Sequence, residues 1–529
     1  MRFREKFLGT PDARKRLLVL MVCTMAAAAV ALQPPVLAMS NRAIQQNLRA
    51  PDSMLPLFAG GATLFYAAFV LAGGALGDAV GRRRMFLIGL GGLFFADILL
   101  MTAPTREFFI VVNFFAGVCM GLVMPMAVAV VTLEFQMQVR GLALAVLYAV
   151  QTMGIIFTAV IASEMGKQFG FAAIFFIPLA LIAFALAGVW KWVPESQATR
   201  STPRLDVLSH IAWVVATLAL IYGILAYVGQ LANETVLVAI GISIAAFLFL
   251  LLWNARKSRQ PIPLYDYTAR DLALAVIAGV AISFGQGALF FQFTTFLNWI
   301  WELNGLQAVM ALLPFILTML IVSIVVGVLV ARYPSRVLIA GGLMLMGAGM
   351  LGFFWTARQV PYWVLVPPLI LLGTGVGLAN MPRVFVVLTA VPRDLMGTAS
   401  AVNQVAGQFG NLLGIIFSSV LVTRFAVAQY DAALQAQQIP ASEIEAIHQA
   451  VRTLLYQAAT VQVPQPTDEI VLQLANAFQE AFALGIGFTL AIIGVGLLIV
   501  SVLVWIGMTG RINTMPEPSD AVTNPRARE

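Results

Sequence analysis

The sequence predicts an all-α protein whose helices cross a membrane fourteen times. Its 529 residues are 60% hydrophobic and only 10% charged, whereas about 25% of the residues of a soluble domain are charged. A soluble fold could not cover this much apolar surface, so lipid must be the main solvent of the chain. The composition therefore argues against a soluble enzyme.

Fourteen apolar runs are long enough to span a bilayer, since a spanning helix needs about 20 mostly apolar residues. The first run follows a basic segment at residues 14–16, as a signal peptide would, but it is longer than a usual signal core and lacks a small-residue cleavage site. We therefore interpret it as a retained span. The predicted spans are 17–39, 57–77, 85–103, 108–131, 141–163, 170–191, 207–227, 235–253, 272–297, 306–331, 336–356, 362–387, 397–423 and 482–508.

The basic residues give this count an independent test. With the N-terminus inside, 24 of the 31 lysines and arginines fall on the inner side and 7 on the outer side, as the positive-inside rule requires. We therefore expect both termini in the cytoplasm and the protein in the inner membrane of a bacterial cell. The net charge of +7 is then a topology signal, and it does not indicate a nucleic-acid partner.

The connection between the second and third spans carries a motif. It reads Gly74-Ala-Leu-Gly-Asp78-Ala-Val-Gly81-Arg82-Arg83-Arg84. Gly74 permits close approach of another helix, and Gly81 permits a tight turn. Asp78 lies at the inner end of its helix, where a carboxylate opposes the helix dipole unless a positive group meets it. These three positions are what a conformational gate between spans requires.

This motif resembles the signature loop of the major facilitator superfamily. The resemblance implies a major facilitator fold, with two six-helix halves and, in this chain, an inserted helix pair. It also implies that Asp78 contacts a later helix, near Gly397 and Thr398, in the outward-open state. A weaker copy at residues 327–336 suits the repeated halves of such transporters. The residues that match the signature are Gly74, Leu76, Asp78, Gly81, Arg82 and Arg83.

The predicted organisation follows from the span positions. Residues 1–192 form the first half, 193–271 a linker with two extra spans, 272–508 the second half and 509–529 a cytoplasmic tail. The second half includes a long outer segment, residues 424–481. Within that segment, Ser442 is expected to cap an amphipathic helix on the outer surface.

The fourteen spans resemble the drug:proton antiporter branch of the family, but three signatures of that branch are missing. Gln33 stands where the branch usually has an aspartate, and a glutamine cannot titrate. Asn113 stands where an arginine is usual, and residues 158–163 lack the usual glycine-proline pattern. A carboxylate inside a membrane is a functional candidate, so Asp97 is the possible proton site. The alternative is a solvated Asp97 near the outer interface.

Uncharged polar residues mark the predicted substrate cavity, which the family places between the halves. Amide side chains there could bind a ligand or one another across helices. Arg383, near the inner end of its span, could pair with an acid or extend toward the interface, and extension is the preferred interpretation. A cavity without charge favours neutral or lipophilic cargo. The predicted cavity residues are Gln33, Asn113, Gln151, Gln286, Gln292, Asn403, Gln404 and Gln408.

The leading functional hypothesis is a secondary transporter that exports hydrophobic or amphiphilic small molecules by alternating access. Because the usual coupling residues are absent, the alternative is a proton-independent facilitator or lipid transporter. A membrane scaffold or sensor is a third possibility. The chain lacks a phosphate loop and a catalytic or metal-ligand set, so we expect no enzyme activity and no cofactor or metal. The expected partners are a lipophilic substrate and membrane lipid, with the protein a monomer.

Overall fold

The computed structural model describes residues 13–50, 54–196, 207–228, 233–257, 269–301, 303, 305–330, 332–355, 360–391, 395–436 and 469–509. These residues form helices and their connections, without a strand in the described ranges. In chain order the helices are α1 (Ala13–Met39), α2 (Asn41–Leu48), α3 (Leu55–Val80), α4 (Arg82–Met101), α5 (Arg106–Glu134), α6 (Met137–Phe169), α7 (Phe176–Trp192), α8 (Val207–Val228), α9 (Asn233–Lys257), α10 (Ala269–Thr295), α11 (Gly305–Ala311), α12 (Leu313–Leu329), α13 (Ser335–Gly352), α14 (Tyr362–Thr389), α15 (Met396–Ala436) and α16 (Glu469–Gly507).

Every predicted span coincides with an apolar helix. Ten of these helices are long and apolar enough to cross a membrane. Shorter apolar stretches occupy the other four predicted positions, at Val139–Gln151, Leu208–Leu220, Glu234–Leu250 and Leu313–Leu329. The protein is therefore a multi-span helical membrane protein, and the full count of fourteen crossings stays a prediction.

One predicted span is interrupted. The run 306–331 divides into the short helix α11, which ends at Ala311, and α12, which begins at Leu313 with Pro314 in its first turn. Proline has no backbone N–H and clashes with the preceding turn, so it is tolerated at the start of a helix and not in its interior. Hydropathy did not reveal the break between α11 and α12, because the run is apolar on both sides of it.

The outer segment is shorter than the predicted 424–481, because the two helices beside it continue past their apolar runs. α15 has 41 residues and α16 has 39, so each is about 60 Å long at 1.5 Å per residue. The Tyr430 and Phe478 rings meet edge to face across these extensions, with centroids 5.3 Å apart. Residues 424–436 contain no glycine or proline and several alanines, so the helix continues. The helix predicted from Ser442 lies outside the described residues.

Two apolar cores divide the chain. The first is formed by α1–α7, and the second by α10–α16. The first core also includes Val326 of α12 and Met396 of α15, which belong to the second group of helices. The two halves of the molecule therefore pack against each other near those two residues.

The inserted pair, α8 and α9, packs as a unit against α3 and touches α15 at the Phe409 ring. The Ser243 hydroxyl of α9 donates to the carbonyl oxygen of Ala216 in α8 at 2.9 Å. The Trp213 ring of α8 contacts the Phe409 ring of α15, with centroids 5.6 Å apart. This pair adds to the two halves without separating them.

Candidate functional site

The motif between α3 and α4 folds into the tight turn that its glycines predict. Gly81 has φ 125° and ψ 129°, a backbone conformation that side chains with a Cβ rarely adopt. Its backbone N–H is bonded to the carbonyl of Gly77, which ends α3. The turn brings Arg82 back over Asp78, and the nearest N–O distance between them is 2.7 Å. Both side chains are almost fully buried.

Asp78 also binds the first turn of α15, in the opposite half. One carboxylate oxygen accepts from the backbone N–H of Gly397 at 2.9 Å. The other accepts from the backbone N–H of Thr398 at 2.8 Å and from its hydroxyl at 3.0 Å. These N–H groups have no partner within α15, because they lie at its N-terminus. A carboxylate is favourable there and unfavourable at the end of its own helix, so Asp78 joins the halves.

Two glycines make this contact possible. A Cβ on Gly74 would lie 2.4 Å from the backbone oxygen of Gly397, and a Cβ on Gly397 would lie 2.6 Å from the Asp78 carboxylate. Backbone cannot withdraw as a flexible side chain can. The approach of α3 to α15 therefore requires glycine on both helices, as the expectation for a helix contact at Gly74 implied.

The other arginines of the motif attach the turn to the C-terminal end of α7. The backbone N–H of Arg83 donates to the Glu195 carboxylate at 3.2 Å, and the Arg83 guanidinium donates to the carbonyl of Trp190. Arg84 lies 3.6 Å from Glu195. The backbone N–H of Arg82 donates to the carbonyl of Ser196 at 3.1 Å. The basic cluster therefore has a packing role within the first half.

The weaker motif copy forms a second contact between the halves. Gly327 in α12 faces Gly141 in α6, and a Cβ on Gly141 would lie 2.7 Å from the Gly327 carbonyl oxygen. The position four residues after Gly327 is Ala331, where the first motif has Asp78. The copy thus keeps the close helix approach of the first motif and lacks its carboxylate.

A cluster of polar side chains lies deeper between the halves, and we call it the polar cluster. The Tyr66 hydroxyl of α3 is 3.4 Å from the Gln404 side-chain oxygen of α15 and also bonds to Gln408. The Asn403 amide of α15 donates to the Tyr148 hydroxyl of α6 at 3.3 Å. Its members are Tyr66, Tyr148, Arg383, Asn403, Gln404 and Gln408.

Three of the predicted cavity residues therefore meet in one place, and the tyrosines that join them were missed by sequence reasoning. Tyr66 and Tyr148 lie in apolar runs, where a tyrosine is usually core. The signal that could have found them is their position on the two first-half helices that face α15 and α14.

Other predicted cavity residues bind within one half. The Asn113 amide donates to the carbonyl of Phe58 at 3.0 Å and to that of Leu57 at 3.3 Å, which fastens α5 to α3. The Gln292 amide donates to the Ser418 hydroxyl at 3.0 Å, which fastens α10 to α15. Each of these two amides therefore links two helices of the same half. Gln286 and Gln151 are half-buried.

Gln33 and Asp97 form a buried pair. The Gln33 amide of α1 donates to one Asp97 oxygen of α4 at 2.5 Å, and both residues are at most 1% exposed. The second Asp97 oxygen is buried without a hydrogen-bond partner among the described residues. Asp97 is therefore not the solvated interfacial residue of the alternative interpretation. Gln33 therefore binds an acid on another helix.

Arg383 does not extend to the interface, contrary to the sequence-based expectation. Its residue is 5% exposed, in the interior of α14. The Nε donates to the Asn380 side-chain oxygen at 3.0 Å, and Nη1 donates to the Asn403 side-chain oxygen at 2.5 Å. The reason is local. These two amide oxygens accept hydrogen bonds from the guanidinium, and Gly279, which has no side chain, leaves space beside it. The space between the halves is therefore not free of charge.

The described residues offer no grouping of three or more His, Cys, Asp or Glu side chains that could hold a metal ion. The two cysteines, Cys23 and Cys119, are buried and unpaired with each other. The arrangement joins the helical halves through the Asp78 contact and through the polar cluster, in which neutral side chains surround the Arg383 guanidinium.

Comparisons with known proteins agree with this architecture. The chain is 24% identical over 400 residues to the methylenomycin A resistance protein of Streptomyces coelicolor, which covers 74% of this chain and 82% of that protein. It is 24% identical over 496 residues to the multidrug efflux pump LfrA of Mycolicibacterium smegmatis, with 92% and 95% covered. The crystal structure of the human organic anion transporter MFSD10 superposes with a TM-score of 0.59 at 14% identity, covering 93% of this chain and 100% of that chain. At that identity the superposition shows the fold alone.

The family description that matches covers most of the chain. It is the Major Facilitator Superfamily, and it matches residues 17–415. The matched range contains the gate motif, both contacts between the halves and the polar cluster. By this match, together with its helical architecture, the chain belongs to the major facilitator superfamily of membrane transporters.

Proposed function

We propose that the protein exports hydrophobic or amphiphilic small molecules across the inner membrane by alternating access, with both termini in the cytoplasm. The observation that carries this proposal is the bond from Asp78 to Gly397 and Thr398, which closes the inner ends of the two halves. The relatives described as resistance and efflux proteins support the direction of export.

Alternating access requires a second state in which this closure opens. Each hydrogen bond to a charged group stabilises by about 1.5–3 kcal/mol, and Asp78 receives three such bonds from α15. Opening the inner side breaks them, while Arg82 keeps the carboxylate paired within α3 and α4. That residual pairing lowers the cost of opening, so the closure can be both strong and reversible.

We further propose that Asp97 carries the coupled proton. Ionised, a buried carboxylate with an unpartnered oxygen is costly, and protonated it is tolerated. Gln33 supplies one donor to Asp97, so the pair is stable with a proton on the other oxygen. The acid then lies on α4, whereas the antiporter branch that the chain resembles usually has it on the first span. The alternative is a proton-independent facilitator or lipid transporter, in which the pair only joins helices.

The test is flux of a neutral lipophilic fluorescent dye in proteoliposomes, with and without an imposed pH gradient. We expect transport driven by the gradient in the wild type, and loss of that gradient dependence in Asp97→Asn. Glu107→Gln is the matched control, because Glu107 is an exposed carboxylate at the start of α5. Dye flux that ignores the gradient in the wild type would favour the facilitator, and absence of dye flux would contradict export of lipophilic compounds.

A further inference from the structure

Arg383 is a buried cation without an acidic partner among the described residues. The ion pairs of the described part of the chain join Arg82 to Asp78, Arg84 to Glu195 and Arg106 to Glu107. The guanidinium keeps its charge under all ordinary conditions. A cation in the interior of a membrane protein is costly unless something negative meets it. The two amide oxygens that accept hydrogen bonds from Arg383 are neutral, so they offset only some of the cost of burying this cation.

The helices packed around Arg383 supply little negative charge. α14 carries no other charged residue, and α12 carries none. α10 carries Asp271, but that carboxylate binds the backbone N–H and hydroxyl of Thr509 at 2.7 and 2.9 Å. Position 271 is also eight residues before Gly279, or about 12 Å along the helix. The countercharge of Arg383 must therefore come from outside these helices.

The surroundings of Arg383 are built to hold its guanidinium in place. A Cβ on Gly279 of α10 would lie 2.5 Å from Nη1 and 3.0 Å from Cζ, so a larger residue there would require the guanidinium to move. Nε and Nη1 are bonded to Asn380 and Asn403. The remaining nitrogen, Nη2, has no hydrogen bond among the described residues.

The position of Arg383 connects it to the movement of the halves. Asn403, which accepts from Arg383, donates in turn to the Tyr148 hydroxyl of the first half. Separating the halves breaks that last bond and frees one face of the Arg383 and Asn403 pair. A ligand bound between the halves would meet the guanidinium at this step.

We propose that Arg383 binds the anionic group of an amphiphile, an oxyanion of single charge such as a carboxylate attached to an apolar body. This deepens the proposed function, on which it rests, by giving the cargo a charge. A guanidinium bonds two oxygens of a carboxylate in its own plane, and the apolar helices around it suit the rest of the molecule. The same chemistry is offered by an anionic lipid headgroup, so the test separates a soluble cargo from a lipid.

The experiment compares two probes that differ in charge alone, 11-(dansylamino)undecanoic acid and its methyl ester. Binding to the purified protein in phosphatidylcholine nanodiscs is followed by dansyl fluorescence. We expect the wild type to bind the acid at least tenfold more tightly than the ester. Arg383→Gln should remove this preference and leave ester binding unchanged, while Arg383→Lys should retain some of it. Arg106→Gln, at a surface arginine that pairs with Glu107 at the start of α5, should behave as the wild type.

Equal binding of acid and ester by the wild type would overturn the proposal without any variant, so it does not depend on whether Arg383→Gln folds. A preference that survives in folded Arg383→Gln would overturn it as well. Nanodiscs that contain phosphatidylglycerol distinguish a soluble anionic cargo from an anionic lipid as the ligand. If this lipid abolishes acid binding and raises the melting temperature of the wild type but not of Arg383→Gln, the anion site stands and its ligand is lipid. If the acid binds but neither it nor the neutral dye is transported, the site stands and the proposed export fails.

Discussion

Gly141 of α6 and Gly327 of α12 touch through their backbones, just as Gly74 of α3 and Gly397 of α15 do. In each pair an added Cβ would fall within 2.7 Å of the facing carbonyl oxygen. The two contacts join opposite pairs of helices between the same two halves. Among the described glycines, these two pairs bring the halves to backbone distance, and of the two only the pair at Gly74 is strengthened by a carboxylate.

The first prediction concerns this second glycine contact. Gly141→Ala should force α6 and α12 apart, because the obstacle is a backbone oxygen that cannot withdraw. We expect dye flux to fall at least tenfold, and an inner-side cysteine probe to react faster. The matched control is Gly60→Ala in α3, where an added Cβ would meet nothing within 4 Å. Unchanged flux in Gly141→Ala would mean that this contact does not contribute to the closure.

The second prediction concerns the carboxylate of the gate. In Asp78→Asn, Arg82 loses its buried ion-pair partner, which costs about 3–5 kcal/mol, and one side-chain oxygen can no longer accept from the α15 N-terminus. We expect a lower melting temperature and a shift of the population toward the inward-open state. Solvent accessibility of a cysteine introduced at Ser400, which is buried in the described state, measures that shift.

Glu107→Gln is the control for Asp78→Asn. Its carboxylate is exposed and pairs with Arg106 at the surface, where an ion pair contributes about 0–1 kcal/mol. We expect the melting temperature and the cysteine reactivity of this variant to match those of the wild type. An Asp78→Asn protein that also matches the wild type would show that the bond to Gly397 and Thr398 does not hold the halves closed.

The third prediction tests the pair of Gln33 and Asp97. Gln33→Leu leaves the carboxyl without its hydrogen-bond donor and should destabilise the protein by about 1–3 kcal/mol. Replacing both residues, as Gln33→Leu with Asp97→Leu, should restore most of that loss, because no buried polar group is left unpaired. Thermal unfolding in detergent measures both. A double variant less stable than Gln33→Leu would contradict this account of the pair.

The fourth prediction concerns the outer extensions of α15 and α16. The Tyr430 and Phe478 rings meet edge to face, and such a pair is worth about 0.5–1.5 kcal/mol beyond its buried area. A double-mutant cycle of Tyr430→Leu and Phe478→Leu should give a coupling energy in that range. As a comparison, Tyr430→Leu combined with the remote Phe58→Leu should be additive. Additivity of the first pair would mean that the extensions do not pack together.

Much of the fold could be predicted from the sequence because lipid imposes one simple condition. Each span must be apolar and about 20 residues long, so the fourteen runs coincide with apolar helices. The ends of the helices were less predictable from the sequence. α15 continues to Ala436 and α16 begins at Glu469, since a helix can continue in water where no glycine or proline stops it. Hydropathy predicts where the chain leaves the lipid, but it does not predict where the helix ends.

The candidate site was less predictable than the fold. The gate motif was evident because each residue has a single physical role, with Gly74 allowing close approach, Asp78 supplying charge and Gly81 making the turn. Individual amides were harder, since an amide in a span can serve a ligand or another helix. Asn113 bonds within one half, whereas Asn403 bonds across the two. Which partner an amide finds depends on the rotation of its helix, and the sequence does not contain that angle.

Composition and the local geometry of neighbouring residues were enough to predict a helical membrane protein with a tight turn after its second span. The pairing of Gln33 with Asp97, and the position of Arg383 between Gly279 and Asn403, became visible in the folded structure alone. These partners are far apart in the chain, and their meeting depends on how whole helices pack. A buried charge is costly inside a membrane. The chemistry of the protein therefore depends on the partners that helix packing gives to its buried charged groups.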